Sequence, residues 1–184
     1  MKKKIGILVG SPRKGSYSRI VASHMANLLG ERFEPFFIDI TALTIYNPDL
    51  DNGTDMPESW RKLRHEVKEA DAVLFCSPEY NRSTPAILKN ALDIASRPFN
   101  NSGWSNKPGA VITISPGKVG GFGGNHHLRQ IASCLNILMM AQPEAYLGNI
   151  NEAIGDEGIK SEATIAFLQK FADAFAAWID RLSD

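Results

Sequence analysis

An excess of either charge is missing from this sequence: Lys and Arg number 20, Asp and Glu number 20, and the formal net charge is zero. A balanced chain has no field to gather nucleic acid or an anionic membrane surface as its main partner. Cysteine is scarce. Cys76 and Cys134 are far apart, so there is no CxxC pair, and no Cys/His cluster has zinc-ligand spacing, so no metal site is expected. Both thiols are expected to be buried and reduced. Long apolar runs are absent too, since no stretch approaches the roughly 20 residues of a spanning helix. The start, Met1-Lys2-Lys3-Lys4 followed by apolar residues 5–9, has too short an apolar core for a secretion signal and no small-residue cleavage site. These absences make a cytoplasmic location the expectation. Two phosphate-binding signatures are also missing. Gly10 and Gly15 have P-loop separation, but Ser16-Tyr17 follows where Lys-Ser/Thr is required, and that loop holds no GxGxxG.

What is present is an ordinary globular composition: 184 residues, 43% hydrophobic and 22% charged. That length suits one unit over residues 1–184, with enough buried surface to need no disulfide or metal staple. Short apolar runs at 5–9, 33–40, 72–76 and 110–114 read as strands, and a short fifth strand falls in 139–147 around Pro143. Unbroken Val73-Leu74-Phe75 indicates burial on both faces of a parallel sheet. Between the runs, apolar residues recur at helical spacing: Val21, Met25 and Leu29; Trp60, Leu63 and Val67; Leu88, Ala91 and Leu92; Leu128, Ile131, Leu135 and Leu138; Phe171, Phe175 and Ile179. Asp55 with Glu58 resembles a capping box over a polar 41–57 loop, and Thr84 is placed to cap the helix after it. Strands alternating with helix-length crossovers imply a parallel sheet with helices on both faces. Ligands of such sheets bind outside the carboxyl ends of the strands, where strand order reverses.

Three loops leave those ends. After the first strand, Ser11, Arg13, Ser16 and Ser18 cluster at a helix start. Free amides, hydroxyls and a guanidinium there suit a terminal phosphate monoester, with a serine-capped turn as the plainer alternative. Asp39 reads as a solvated strand end. After the third strand comes Pro78-Glu79-Tyr80-Asn81, where Asn81 and backbone amides can meet a heterocycle's polar edge and Tyr80 offers an aromatic face. After the fourth comes Ser115-Pro116-Gly117-Lys118-Val119-Gly120-Gly121, whose glycines let backbone approach a flat ring and point amides at it, or are simply flexible.

Gly10-Ser11-Pro12-Arg13 with Ser16, Pro78-Glu79-Tyr80-Asn81 with residues 85–93 (PAILKNALD), and His127-Leu128-Arg129-Gln130 ahead of Pro143-Glu144 resemble the NAD(P)H-dependent FMN reductase family, in its quinone or chromate reductase branch. The likeness covers nearly the whole chain, and the segment from Pro78 to Asp93 is its most specific part. It implies a flavodoxin-like three-layer sandwich with a five-stranded parallel sheet of order 2-1-3-4-5. It implies tightly held FMN, with NADPH or NADH as co-substrate. By the same likeness Ser11, Arg13, Ser16 and Ser18 hold the phosphate. Pro78, Glu79, Tyr80 and Asn81 flank the isoalloxazine, and Ser115, Gly117 and Gly120 meet its pyrimidine edge. The family implies a homodimer or homotetramer, with Arg129 and Glu144 at positions resembling an interface ion pair. Pro12 and Ser18 depart from the family's usual apolar residue and Asn, but both are compatible with a phosphate site.

The expected activity is hydride transfer from NAD(P)H through FMN to quinones or similar small acceptors, with chromate, azo compounds and free flavin in the same class. The chemistry lies at flavin N5, so no catalytic side chain is nominated. His126 and His127 are adjacent on a helix and diverge, which argues against a metal role. Two other readings are a flavodoxin-type electron carrier and a nucleotide-binding module without turnover. Neutral charge and Arg13 at the phosphate argue against the carrier.

Overall fold

Where the sequence runs apolar without a break, the chain builds the centre of a parallel sheet. The computed structural model describes residues 1–182; the last two residues of the expected 1–184 unit lie outside the described residues. In chain order the strands are β1 (Lys4–Val9), β2 (Glu34–Ile38), β3 (Ala72–Pro78), β4 (Pro108–Ile114), β5 (Leu138–Met139) and β6 (Ala145–Leu147). Their spatial order is β2-β1-β3-β4-β5, with β6 also paired to β4. Every one of these pairings is parallel. This is the flavodoxin-like order. Around the sheet lie α1 (Tyr17–Gly30), α2 (Glu58–Glu69), α3 (Ala86–Ala95), α4 (Phe122–Cys134), the short α5 (Ile150–Ala153) and α6 (Glu162–Arg181). Among the described residues no helix is long and apolar enough to cross a membrane.

Alternation along the strands divides the core in two. Ile5, Ile7 and Val9 face one way with Leu74, Cys76 and Ile112, against α1 and α6. Leu8 faces the other way with Val73, Phe75 and Val111, against α2, α3 and α4. Each large side chain fully buried here, such as Phe75 or Phe171, contributes about 1.5–3 kcal/mol. Trp104 comes from the loop before β4 and is fully buried beside Phe75. Its indole N–H donates to the Leu92 carbonyl at 2.9 Å, so the ring is buried without an orphaned donor.

Several local expectations are corrected. The fifth strand is two pieces, β5 and β6, on either side of Pro143, whose missing N–H cannot continue a ladder. The helix placed by Leu128 and Ile131 starts earlier, at Phe122, and ends before Leu138, which joins β5. Neither local cap forms: α2 and α3 begin after Pro57 and Pro85 with no side-chain cap. Asp55 Oδ2 instead accepts from the Asn52 side chain through Nδ2. Cys76 is buried as expected, and burial pushes its thiol up to about 12. Cys134 is exposed, because it falls on the outer face of α4. A small antiparallel pair, β7 (Ile154–Gly155) and β8 (Gly158–Ile159), went unread because each piece is two residues long.

Candidate functional site

The strand register brings the three loops to one edge. Val9 lies opposite Cys76, Pro78 opposite Ile114, and Ile114 opposite Leu147. At that edge is a cleft of about 160 Å³ that collects Ser11, Arg13, Ser16, Ser18, Pro78, Glu79, Tyr80 and Ser115. Asn81, Gly117 and Gly120 belong to the same loops but do not line it. Arg129 and Glu144 lie apart, in two other surface depressions of about 440 and 330 Å³.

The β1–α1 loop gathers hydrogen-bond donors at a helix start. Ser16 is the N-cap of α1, and its Oγ accepts from the Arg19 amide at 3.2 Å. Among the described residues, the Tyr17 and Ser18 amides in the first turn find no acceptor. A helix start leaves such amides pointing outward at its positive end. Ser11, Ser16 and Ser18 are only 8%, 4% and 2% exposed, so their hydroxyls are packed into the cleft floor. Arg13 is exposed and makes no ion pair among the described residues. Gly15, at φ 65°, supplies the left-handed residue that turns the chain into α1.

The β3–α3 loop is a tight turn. Tyr80 and Ser83 exchange both backbone hydrogen bonds, and Asn81 and Arg82 between them have φ of 50° and 66°. Asn tolerates this region, whereas Arg82 is strained by about 1–2 kcal/mol. Tyr80 is left 45% exposed. Glu79 lines the cleft, but its carboxylate turns toward α4. Oε2 accepts from the Gly124 amide at 2.8 Å, and Oε1 accepts from Arg82 Nη1 at 3.2 Å.

In the β4–α4 loop the donors differ from expectation. The Gly117 amide donates to Ser115 Oγ at 3.0 Å, and the Gly120 amide donates to the Gly117 carbonyl. The loop folds back on itself and spends both glycine amides. Among the described residues, the Lys118, Val119 and Gly121 amides are the ones in this loop without an acceptor. Gly120 and Gly121 are required by the fold, at φ 63° and 80°. A Cβ on Gly120 would sit 2.5 Å from the Tyr146 carbonyl carbon. Gly117 has no such constraint: its φ is not positive, and a Cβ would meet only Ser115 Oγ at 3.5 Å.

Two features were not anticipated. Thr113 and Asn125 are both fully buried polar residues. Asn125 Nδ2 donates to Thr113 Oγ1 and to the Ala145 carbonyl, which pins α4 over β4 and β6. Threonine inside the apolar 110–114 run was the available signal. Arg129 supports this network, with Nε donating to Asn125 Oδ1 and Nη1 to the Met140 carbonyl, both at 2.9 Å. The second feature is an aromatic group beside the loop. The Phe122 ring lies 4.2 Å from His126 and 5.3 Å from Tyr146. Burial and the Glu144 carboxylate push the Tyr146 phenol up to about 12. His126 and His127 do diverge, toward Tyr146 and Ser83 respectively.

The chain is similar along nearly its whole length to known proteins. A quinone reductase from Pseudomonas putida is 45% identical over 175 residues, spanning 95% of this chain and 94% of its own. A 2-hydroxy-1,4-benzoquinone reductase from Burkholderia sp. is 42% identical over 180 residues, with 97% of each chain covered. The solved structure of a flavoenzyme NAD(P)H:(acceptor) oxidoreductase from Paracoccus denitrificans superposes with a TM-score of 0.90 at 38% identity, over 97% of this chain and 98% of that one. The family model described as NADPH-dependent FMN reductase matches residues 3–152, and with the whole six-stranded sheet and the whole cleft inside that span, the chain belongs to this family.

Proposed function

We propose that the protein is an FMN-dependent NAD(P)H oxidoreductase that reduces quinones or similar small acceptors. The observation that carries the reading is the convergence of residues from the loops after β1, β3 and β4 in one cleft, with Arg13 and the free Tyr17 and Ser18 amides at one end. That end suits a phosphate monoester. Ser11, Arg13, Ser16 and Ser18 hold it in this reading. Ser16 Oγ accepts from Arg19, which leaves its hydroxyl hydrogen to donate. The other end fits a flat ring. Gly117 leaves open space that a Cβ would fill, and Lys118 and Val119 offer amides. Pro78, Glu79 and Tyr80 line the opposite side and Ser115 the near one, with Asn81, Gly117 and Gly120 following in the same loops.

Bound FMN supplies two-electron chemistry at N5, taking hydride from NADPH or NADH and handing it to the acceptor. The chain's own work is to bind, orient and donate backbone hydrogen bonds toward the ring's polar edge. No side chain is assigned an acid–base role. The names of the relatives, quinone reductase and 2-hydroxy-1,4-benzoquinone reductase, support the acceptor class.

The reading extends to one FMN-binding unit over residues 1–184, a cytoplasmic location, and a homodimer or homotetramer in which Arg129 and Glu144 face a second copy. Light scattering of the wild type and of Arg129→Ala tests the last point.

The deciding experiment is an absorbance spectrum of the purified protein, then anaerobic NADPH, then a quinone. Flavin bands that bleach with NADPH and return with quinone are expected. Bands that NADPH leaves untouched point to an electron carrier, and no flavin even after FMN is added refutes the assignment.

A further inference from the structure

Glu79 is the one carboxylate among the residues lining a cleft otherwise built for an anion. Its side chain is 12% exposed, and both oxygens are occupied by the chain itself. α4 has Gly121 at its N-cap position and no side-chain cap of its own, and Glu79 supplies one from 45 residues away. A carboxylate at a helix start is favoured by the unpaired amides and the helix dipole. The contact is close. A Cβ on Gly124 would lie 3.2 Å from Glu79 Cβ, and one on Gly123 would lie 3.0 Å from both Glu79 Oε2 and the Arg82 carbonyl. Two glycines weaken a helix relative to alanine, and here they let the turn and the helix touch.

We infer that Glu79 is a positioning residue: its carboxylate ties the β3–α3 turn to the first turn of α4 and fixes the spacing of the two walls that grip the ring system of FMN. The inference rests on the FMN reading above. The Gly-rich loop runs directly into α4. On its far side it is held by Asn149 donating to the Gly117 carbonyl and by Ile150 donating to the Ser115 carbonyl. On the near side the Glu79–Gly124 bond is the short tie. Thr84 Oγ1 reaches the Gly124 carbonyl only at 3.5 Å, and the Ser83–His127 contact is exposed.

The test compares Glu79→Ala, Glu79→Gln and Arg13→Ala by equilibrium titration with FMN and with riboflavin, read by flavin fluorescence. E79A should weaken both flavins roughly tenfold or more, the loss of one charge-assisted hydrogen bond. E79Q keeps an oxygen for Gly124 and should recover to within about threefold of wild type. Arg13→Ala should weaken FMN but not riboflavin, which lacks the phosphate. E79A binding both flavins as wild type does, or E79Q failing as badly as E79A, overturns the inference. Amide exchange at Gly124 in FMN-free wild-type protein needs no variant: protection is expected, and free exchange overturns the tie. Wild-type protein that binds neither flavin overturns the functional reading instead, a result separate from any variant's failure.

Discussion

Replacing Gly117 by alanine separates what the fold needs from what a ligand needs. The added methyl would meet only Ser115 Oγ, at 3.5 Å, an ordinary contact. The residue is not at positive φ, unlike Gly120 and Gly121. Removing glycine's freedom from the unfolded chain then stabilises by about 0.4–1 kcal/mol. For a chain of this size that raises the melting temperature by at most about 4 °C. Binding should move the other way. The methyl occupies the space left for the ring and pushes it off its backbone donors, a loss of about 1.5–3 kcal/mol, or roughly 10- to 100-fold in affinity. Gly120→Ala is the opposite case. Its Cβ would sit 2.5 Å from the Tyr146 carbonyl carbon, at φ 63°. Left-handed strain of about 1–2 kcal/mol adds to overlap of about 1–3 kcal/mol, so this variant should lose stability outright. Melting curves of FMN-free protein and fluorescence titration with FMN measure the two effects separately. A Gly117→Ala protein that binds FMN as tightly as wild type would show that the ring does not approach there. One that melts well below wild type would show that the loop has less room than the geometry gives it.

Three further outcomes follow from the structure. Arg64 bonds Asp51 through two nitrogens at 2.7 Å, and this holds the Asp51 carboxyl below the usual carboxylate range. A carboxyl lowered in the folded state adds stability that is full above its unfolded value of about 3.9 and lost as pH falls through the folded value. Asp51→Asn should therefore lower stability at neutral pH by about 3–5 kcal/mol and flatten the acid decline in melting temperature; parallel acid profiles for the two proteins refute this. Ser16→Ala removes the α1 cap and should cost about 1 kcal/mol in urea unfolding of FMN-free protein, so an unchanged midpoint argues against the capping role. A thiol reagent should label Cys134 in native protein and reach Cys76 only after unfolding, since burial pushes the latter's thiol up to about 12; mass spectrometry showing two adducts on folded protein contradicts that assignment.

The strands and loops that build the site are legible because their signals are local. Runs such as Ile7-Leu8-Val9 and Val73-Leu74-Phe75 must be buried on two faces, and a loop between a strand and a helix start can only open at the carboxyl edge. What was misread depends on pairings across the fold. Thr84 and Asp55 satisfy local capping rules, yet Pro85 and Pro57 occupy the cap positions of α3 and α2. Nothing near Gly121 announces a cap for α4, because its carboxylate comes from Glu79, 45 residues earlier. Gly123 and Gly124 read as loop by propensity and are helical, since Glu79 and Arg82 pack where side chains would stand. The donors of the Gly-rich loop were assigned to its glycines. Ser115 captures the Gly117 amide and the Gly117 carbonyl that of Gly120, so the amides left without an acceptor among the described residues are those of Lys118, Val119 and Gly121.

The divided fifth strand also bears on how the molecule behaves in a crowded solution. A sheet edge is a template on which another chain can add a strand. On one side of this sheet the edge pieces are two and three residues long, with Pro143 between them. On the other side β2 carries Pro35, which lacks a donor. Neither border presents a continuous ladder of amides and carbonyls. The protein is thereby guarded against sheet-to-sheet aggregation at high concentration, because a second copy meets no continuous strand edge to extend.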